Sequence, residues 1–384
     1  MDKRPQFQDN IAASLLLETI FNWFDENGYK YCVQRNYEGY PDRITGDVDL
    51  VVTIGMTSQI VEGILEVAYK LGWSCYFEHT WEKTSFIGLC KSIFPSRYTL
   101  TIELFAGAGW HGISYLSSSF ILAHCTRFGI TWKPFPAHQA IITVIHHLLY
   151  NGHVPPKYRD EILHLVKENP EIFQNILSKS FGSSLANLSY DTIIRENWDE
   201  LSYQVNRFKF NILFRATKTP IKLITNIING YNASCRIPEG IVLMVNSAKK
   251  NQSHEICNAL LKSANNWHIF YPSYRKKFNI CNENIRKINE LNKQIHRIIG
   301  HGGVCIINCG NSFTSDFNLP YPFYSIHYSD KYLSIRSIGE NHDLSLTDID
   351  CNGYPIEQIA HKIWNDLLDD RARRFSLRNN YIHG

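Results

Sequence analysis

The segment that most limits how this chain can fold is Gly46-Asp47-Val48-Asp49-Leu50-Val51-Val52. On a strand, side chains two apart share a face, so Asp47 and Asp49 project one way while Val48 and Leu50 take the other. Two carboxylates this close repel each other unless a cation or a basic group lies between them. A second acidic strand follows in YTLTIELF, where Thr99, Thr101 and Glu103 occupy one face and Leu100, Ile102 and Leu104 the other. A bare Asp-x-Asp can also be an exposed strand end beside a turn. The glycine before it, the apolar run after it and the later Glu103 favour a built acidic site.

Three carboxylates converging from adjacent strands offer the hard oxygen donors that Mg²⁺ takes. Such a site orients a nucleoside triphosphate and activates an attacking hydroxyl. Asp47, Asp49 and Glu103 are therefore the expected metal ligands and catalytic residues.

The surrounding periodicities supply a frame. Ile11, Leu15, Leu16, Ile20, Phe21 and Phe24 recur at helical intervals, with Gly28 placed as a C-terminal cap. A strand at YKYCVQ, a polar turn at NYEGYPDRITG, the Asp-x-Asp strand, a helix over 57–71 and three further strands follow. This is a mixed α/β unit, assigned to 1–132. From 133 to 236 helical spacing dominates, as in HQAIITVIHHLLYNG and KYRDEILHLVKEN. After the break at Pro238-Glu239-Gly240, the buried strand GIVLMV, the helix HEICNALLKS, the strand GVCIINC and the helix PIEQIAHKIWNDLL give an α/β unit over 237–384.

Composition narrows the partners. Lys and Arg number 39 against 36 Asp and Glu, too even a balance to mark a nucleic-acid binder. No apolar run has the length to span a bilayer, and MDKRPQFQDN lacks a signal-peptide core, so a cytoplasmic protein is expected. The 10 cysteines are irregularly spaced without a Cys-x-x-Cys, which suits buried reduced thiols rather than zinc.

With these residues in view, the order strand, turn, Gly-Asp-x-Asp strand, helix and acidic strand resembles the nucleotidyltransferase fold of DNA polymerase beta and the aminoglycoside nucleotidyltransferases. More narrowly, VQRNYEGYP, GDVDLVV and IELFAGAGWHGISYL are similar to large bacterial proteins found among surface-polysaccharide genes. Those join a nucleotidyltransferase-like domain to a helical middle and a thymidylate-kinase-like end, so the resemblance spans the whole chain. It implies Mg²⁺, a nucleoside triphosphate and a small acceptor such as a sugar. One departure stands out. Active members carry a Gly-Ser pair ahead of the Asp-x-Asp to hold the triphosphate, whereas this chain has Gln34-Arg35-Asn36-Tyr37. Arg35 is the candidate replacement, because guanidinium geometry suits phosphate, and it is equally suited to pair with Asp47. The loop after the acidic strand brings Trp110 and His111 as candidate substrate contacts, with loop packing as the other role.

In the last unit, Asn246 to Ser253 stands where a phosphate-binding loop, G-x-x-x-x-G-K-[ST], would lie. Asn246 and Asn251 replace both glycines and Gln252 replaces the lysine, leaving Ser253 alone in agreement. The expected unit is shaped like a kinase without being one. Gly107 to Gly112 satisfies G-x-G-x-x-G, yet no βαβ unit surrounds it. His146 and His147 point about 100° apart on a helix, too far to share a metal. Arg378 and His383 form an R-x4-H pattern at the chain end, read as coincidence.

Two readings follow. One is a Mg²⁺-dependent nucleotidyl or phosphoryl transferase for a small acceptor in surface-polysaccharide synthesis. The other is a binding or scaffold protein whose two nucleotide sites have decayed. The nucleotide, the acceptor and the oligomeric state are not specified by the sequence.

Overall fold

The computed structural model describes residues 11–44, 46–81, 84–93, 96–110, 112–217, 241–247, 249–265, 278–282, 293, 295–296, 304–310, 323–329, 332–338 and 343–382. The architecture is mixed α/β: a mixed sheet with helices, a helical middle region and a further sheet.

The first sheet contains β1 (Tyr31–Val33), β2 (Val48–Val52), β3 (Ser74–Trp81), β4 (Thr84–Ile93) and β5 (Ser96–Phe105), in the order β1-β2-β5-β4-β3. Only the β2–β5 pair is parallel; the others run antiparallel. Strand alternation divides its residues between two faces. Val48, Leu50, Ile87, Leu89, Ile102 and Leu104 point to a core closed by α1 (Ile11–Glu26) and α2 (Thr57–Lys70). Both helices are amphipathic, as their periodicity requires. Leu16, Leu17, Ile20, Phe21 and Phe24 on α1, with Ile60, Ile64 and Ala68 on α2, are fully buried.

The opposite face is shared by two other parts of the chain. Cys32 of β1 and Val51 of β2 join a core formed mainly by the helical region. That region opens with α4 (Pro136–Asn151), which follows a short α3 (Ser118–Ala123) and two hairpins, β6–β7 (Gly107–Trp110, Ile113–Ser117) and β8–β9 (Thr126–Phe128, Thr131–Lys133). Pro136 opens α4 and Gly152, at φ 77°, closes it in the left-handed conformation. Helices α5 (Arg159–Glu168), α6 (Pro170–Phe181), α7 (Ser183–Ile194), α8 (Trp198–Tyr203) and α9 (Val205–Thr217) complete the region.

At the other side of the same face, Phe86 and Cys90 of β4 join the core of the second sheet. This sheet contains β10 (Ile241–Ser247), β11 (Phe278–Asn282), β12 (Val304–Gly310), β13 (Phe323–Tyr328), β14 (Tyr332–Ile338) and β15 (Asp343–Asp350), in the order β11-β12-β10-β13-β14-β15. Strands β11, β12, β10 and β13 are mutually parallel, and β14 and β15 are antiparallel additions. Strand β10 is buried along its whole length, as the unbroken run IVLMV demands. Helices α10 (Lys250–Asn265) and α11 (Ile356–Ile382) cover one face, and α11 also packs along β3 of the first sheet.

Three expectations for this last unit need correction. The sequence reading gave it two strands and missed β11, β13, β14 and β15, whose apolar residues are broken up by Ser, Asn and Asp. The final helix runs to 27 residues, well past PIEQIAHKIWNDLL. The eight-residue loop expected from Asn246 to Ser253 is also shorter, since β10 continues through Ser247 and α10 begins at Lys250. Without glycines to hold a wide loop open, Gln252 and Ser253 fall in the first helical turn.

Phe86 ties the second sheet to the first and is 4% exposed. Phe86→Ala should cost about 3 kcal/mol or more by leaving a cavity at that seam. Mass-spectrometric alkylation mapping should then find Cys90, 2% exposed in the native protein, newly reactive. An unreactive Cys90 would mean that the seam does not depend on Phe86.

Candidate active site

The acidic residues meet on the face of the first sheet left between the helical region and the second sheet. Strands β2 and β5 are in register with Asp49 beside Glu103, and β4 places Phe86 on the other flank of Glu103. Adjacent strands lie about 4.8 Å apart, so Asp49 and Glu103 are lateral neighbours. Asp47 precedes β2 on the same face and adds its charge to theirs. The three carboxylates expected from sequence are thus brought together.

Asp49 is 2% exposed. Its Oδ2 accepts a 2.6 Å hydrogen bond from Arg35 Nε within an ion pair. Arg35 arrives there because the β1–β2 ladder continues one step beyond β1, where Gln34 N–H donates to the Asp49 carbonyl at 2.9 Å. Asn36 then turns the chain away at φ 60°, a conformation Asn tolerates better than most residues. Arg35 pairs with Asp49 rather than Asp47, which settles one of the two roles open to it. The bond uses Nε, and the terminal nitrogens make no hydrogen bond to any described residue.

Burial, then the charges of Asp49 and Asp47, raise the Glu103 pKa well above the usual carboxylate range, with Arg35 opposing them. Three carboxyl groups thus share one guanidinium, an arrangement that favours the protonated form of Glu103. Tyr40 adds a group the sequence reading did not single out. Its hydroxyl is buried without a hydrogen-bond partner among the described residues, and burial followed by Asp49 and Asp47 raises its pKa.

Three carboxylates suit a hard divalent cation in their donor chemistry. Their present arrangement does not, since no group of three or more His, Cys, Asp and Glu among the described residues is placed to hold a metal ion. Arg35 already engages Asp49, so a metal needs that carboxylate released.

The helical region forms the facing wall. Burial and then Arg35 lower the pKa of His146 to about 4, and burial followed by His146 and Arg35 lowers that of His147 to about 3. Tyr158 stacks on His147 at 4.5 Å and acts electrostatically on Arg35. Tyr37 O–H donates to Gln139 Oε1 and Gln139 Nε2 donates to Glu161 Oε1, each at 2.8 Å. KYRDEIL therefore contributes Tyr158 and Glu161 to the seam beside the carboxylates. Sequence reasoning set the histidines aside as core or surface residues and gave KYRDEIL no role, because helical periodicity does not report which helix faces a sheet.

Trp110 packs against the core of the helical region, with Lys209 Nζ 5.6 Å from its ring centroid. His111 and His383 fall outside the described residues.

Removing Arg35 alone leaves a buried carboxylate uncompensated, which costs about 3 kcal/mol. Arg35→Met should lose roughly that much in urea unfolding, and Arg35→Met with Asp49→Leu should recover most of it. A double variant no more stable than the single one would show that the pair does not support the fold. For Glu103, the raised pKa fixes the sign. The folded chain keeps a proton that the unfolded chain releases, so the stability tied to it is full below the ordinary pKa and lost as pH rises through the folded-state value. Glu103→Gln should accordingly raise the melting temperature relative to wild type at pH 9 and match it near pH 4. Equal melting temperatures at both values would contradict this.

No family model and no curated protein matches the chain. Among solved structures, it is similar to JHP933 from Helicobacter pylori at 11% identity and a TM-score of 0.27, over 56% of this chain and 94% of that one. It is also similar to a candidate nucleotidyltransferase from H. pylori at 12% identity and a TM-score of 0.25, over 54% of this chain and 94% of the other.

Proposed function

We propose that this chain transfers a nucleotidyl or phosphoryl group from a Mg²⁺-bound nucleoside triphosphate to a small acceptor, with a sugar of surface-polysaccharide synthesis as the acceptor class. The observation that carries the reading is the β2–β5 register, which sets Asp49 beside Glu103 with Asp47 on the same face. The first-sheet topology is compatible with a nucleotidyltransferase-like unit over 1–132, followed by a helical unit over 133–236 and a thymidylate-kinase-like unit over 237–384.

Arg35 has two partners to choose between in this mechanism. With the site at rest it neutralises Asp49. A triphosphate in the cleft competes for the guanidinium, whose terminal nitrogens suit phosphate oxygens. Arg35 would then bind phosphate, and Asp49, Asp47 and Glu103 are the residues that would hold Mg²⁺. Bound there, Mg²⁺ would supply charge neutralisation for the triphosphate and acidify the acceptor hydroxyl. In its ionised form the Glu103 carboxylate would orient the acceptor hydroxyl. Tyr40 donates its unpaired hydroxyl to an oxygen of the bound substrate. The remaining contribution is positioning, which supplies most of the catalysis in transfers of this kind.

The Arg35–Asp49 pair also favours a second reading, in which Arg35 has permanently replaced the metal and the chain only binds or scaffolds. Titration calorimetry with ATP, CTP, GTP and UTP, each with and without Mg²⁺, separates the two. The transferase reading expects Mg²⁺-dependent heat with at least one nucleotide. Asp47→Asn with Asp49→Asn should abolish it, while Gln252→Ala in α10 leaves it unchanged. No heat from any nucleotide would favour the scaffold. Loss of heat in Gln252→Ala alone would move the working site to the second sheet.

A further inference from the structure

A cavity of about 70 Å³ lies between the β5–β6 turn and α4. Two of its lining residues are close in sequence to the residues of the acidic site. Gln34, in its lining, directly precedes Arg35. Phe105, also in its lining, follows Glu103 by two residues and shares its strand face, roughly 7 Å along β5. The wall mixes apolar and polar groups: it includes Ser114, His146 and Tyr150, and among the described residues no Asp, Glu, Lys or Arg.

His146 is the informative member. Its ring contacts His147 and Tyr150, at centroid distances of 5.4 and 4.8 Å. Neither ring nitrogen hydrogen-bonds to a described residue. Burial keeps the ring neutral near pH 7, able to donate from one nitrogen and accept at the other. A partly buried polar ring is normally satisfied by some partner, and here the free side opens on the cavity. The cavity holds about two waters' worth of liquid volume, enough for one or two hydroxyl-bearing carbons and not for a whole ring. Tyr150 is 42% exposed and stands at the mouth, where the rest of a ligand would lie.

We propose that this cavity is the acceptor subsite and selects an uncharged polyhydroxy compound, His146 bonding one hydroxyl while the part of the compound outside the cavity extends toward Glu103. The assignment of the ligand as an acceptor rests on the transferase reading; the binding of a neutral polyol does not. The described lining residues offer no counter-charge, which disfavours amino, carboxylate and phosphate groups at the inserted end because each would be desolvated there unpaired.

Saturation-transfer NMR on the full chain, without nucleotide, tests this with glycerol, myo-inositol and glucose as neutral probes and with glucosamine and gluconate as charged ones. Neutral probes should give signals and the charged ones should not. His146→Leu, close in volume, should weaken the neutral signals at least fivefold, and His146→Gln should restore part of them. Tyr150→Trp narrows the exposed mouth without entering a core, so it tests the same point if His146→Leu folds poorly. Equal signals from charged and neutral probes, no signal from any neutral probe, or full signals in both His146→Leu and Tyr150→Trp would overturn the proposal. The Asp47→Asn, Asp49→Asn variant keeps the two readings apart. It should retain polyol binding whether or not the wild type binds nucleotide, and loss of polyol binding there with the fold intact would also overturn the subsite.

Discussion

A carboxylate at 2% exposure loses its water, and an ion that loses its water costs several kcal/mol unless another charge stands close by. For Asp49 that charge is Arg35, held at 2.6 Å. Much of the site's arrangement goes with this pair. It requires the chain to leave β1 along the β2 edge for one more residue, and it fixes which of the two aspartates is neutralised. Burial, followed by the charges of Asp49 and Asp47, raises the Glu103 pKa in turn.

The setting of that pair comes from how one sheet face is divided. Helices α1 and α2 seal the other face, so the site face is open to whatever else the chain can bring. The helical region takes the β1–β2 side through Cys32 and Val51, and the second sheet takes the β4 side through Phe86 and Cys90. Asp49 and Glu103 lie between the two, with Phe86 directly beside Glu103. The second sheet therefore acts on the carboxylates by excluding water from one flank. In its own strand–helix junction, β10 ends at Ser247 and α10 begins at Lys250. A structural contribution to the first site gives this unit a purpose that does not depend on its binding a nucleotide.

Much of the site was legible in the sequence because strands impose a period of two. Val48 and Leu50 had to face a core, which left Asp47 and Asp49 on the other side, and the same rule placed Glu103. Buried strands and amphipathic helices of the first unit could be read for the same reason. Adjacency across strands carries no such local mark. That β2 and β5 are parallel neighbours in a register pairing Asp49 with Glu103 is a long-range outcome.

The residues themselves determined the acidic face, the helical middle, the buried β10 strand and the loss of a phosphate loop, because each follows from side-chain alternation, helical spacing or the special backbone freedom of glycine. Tertiary structure alone decided that Arg35 pairs with Asp49, that His146 and Tyr158 come within electrostatic reach of Arg35, and that Trp110 packs on the helical core. It also decided that the final helix reaches back to β3. These are contacts between segments distant in sequence, chosen by which apolar faces bury one another, and no local pattern records that choice.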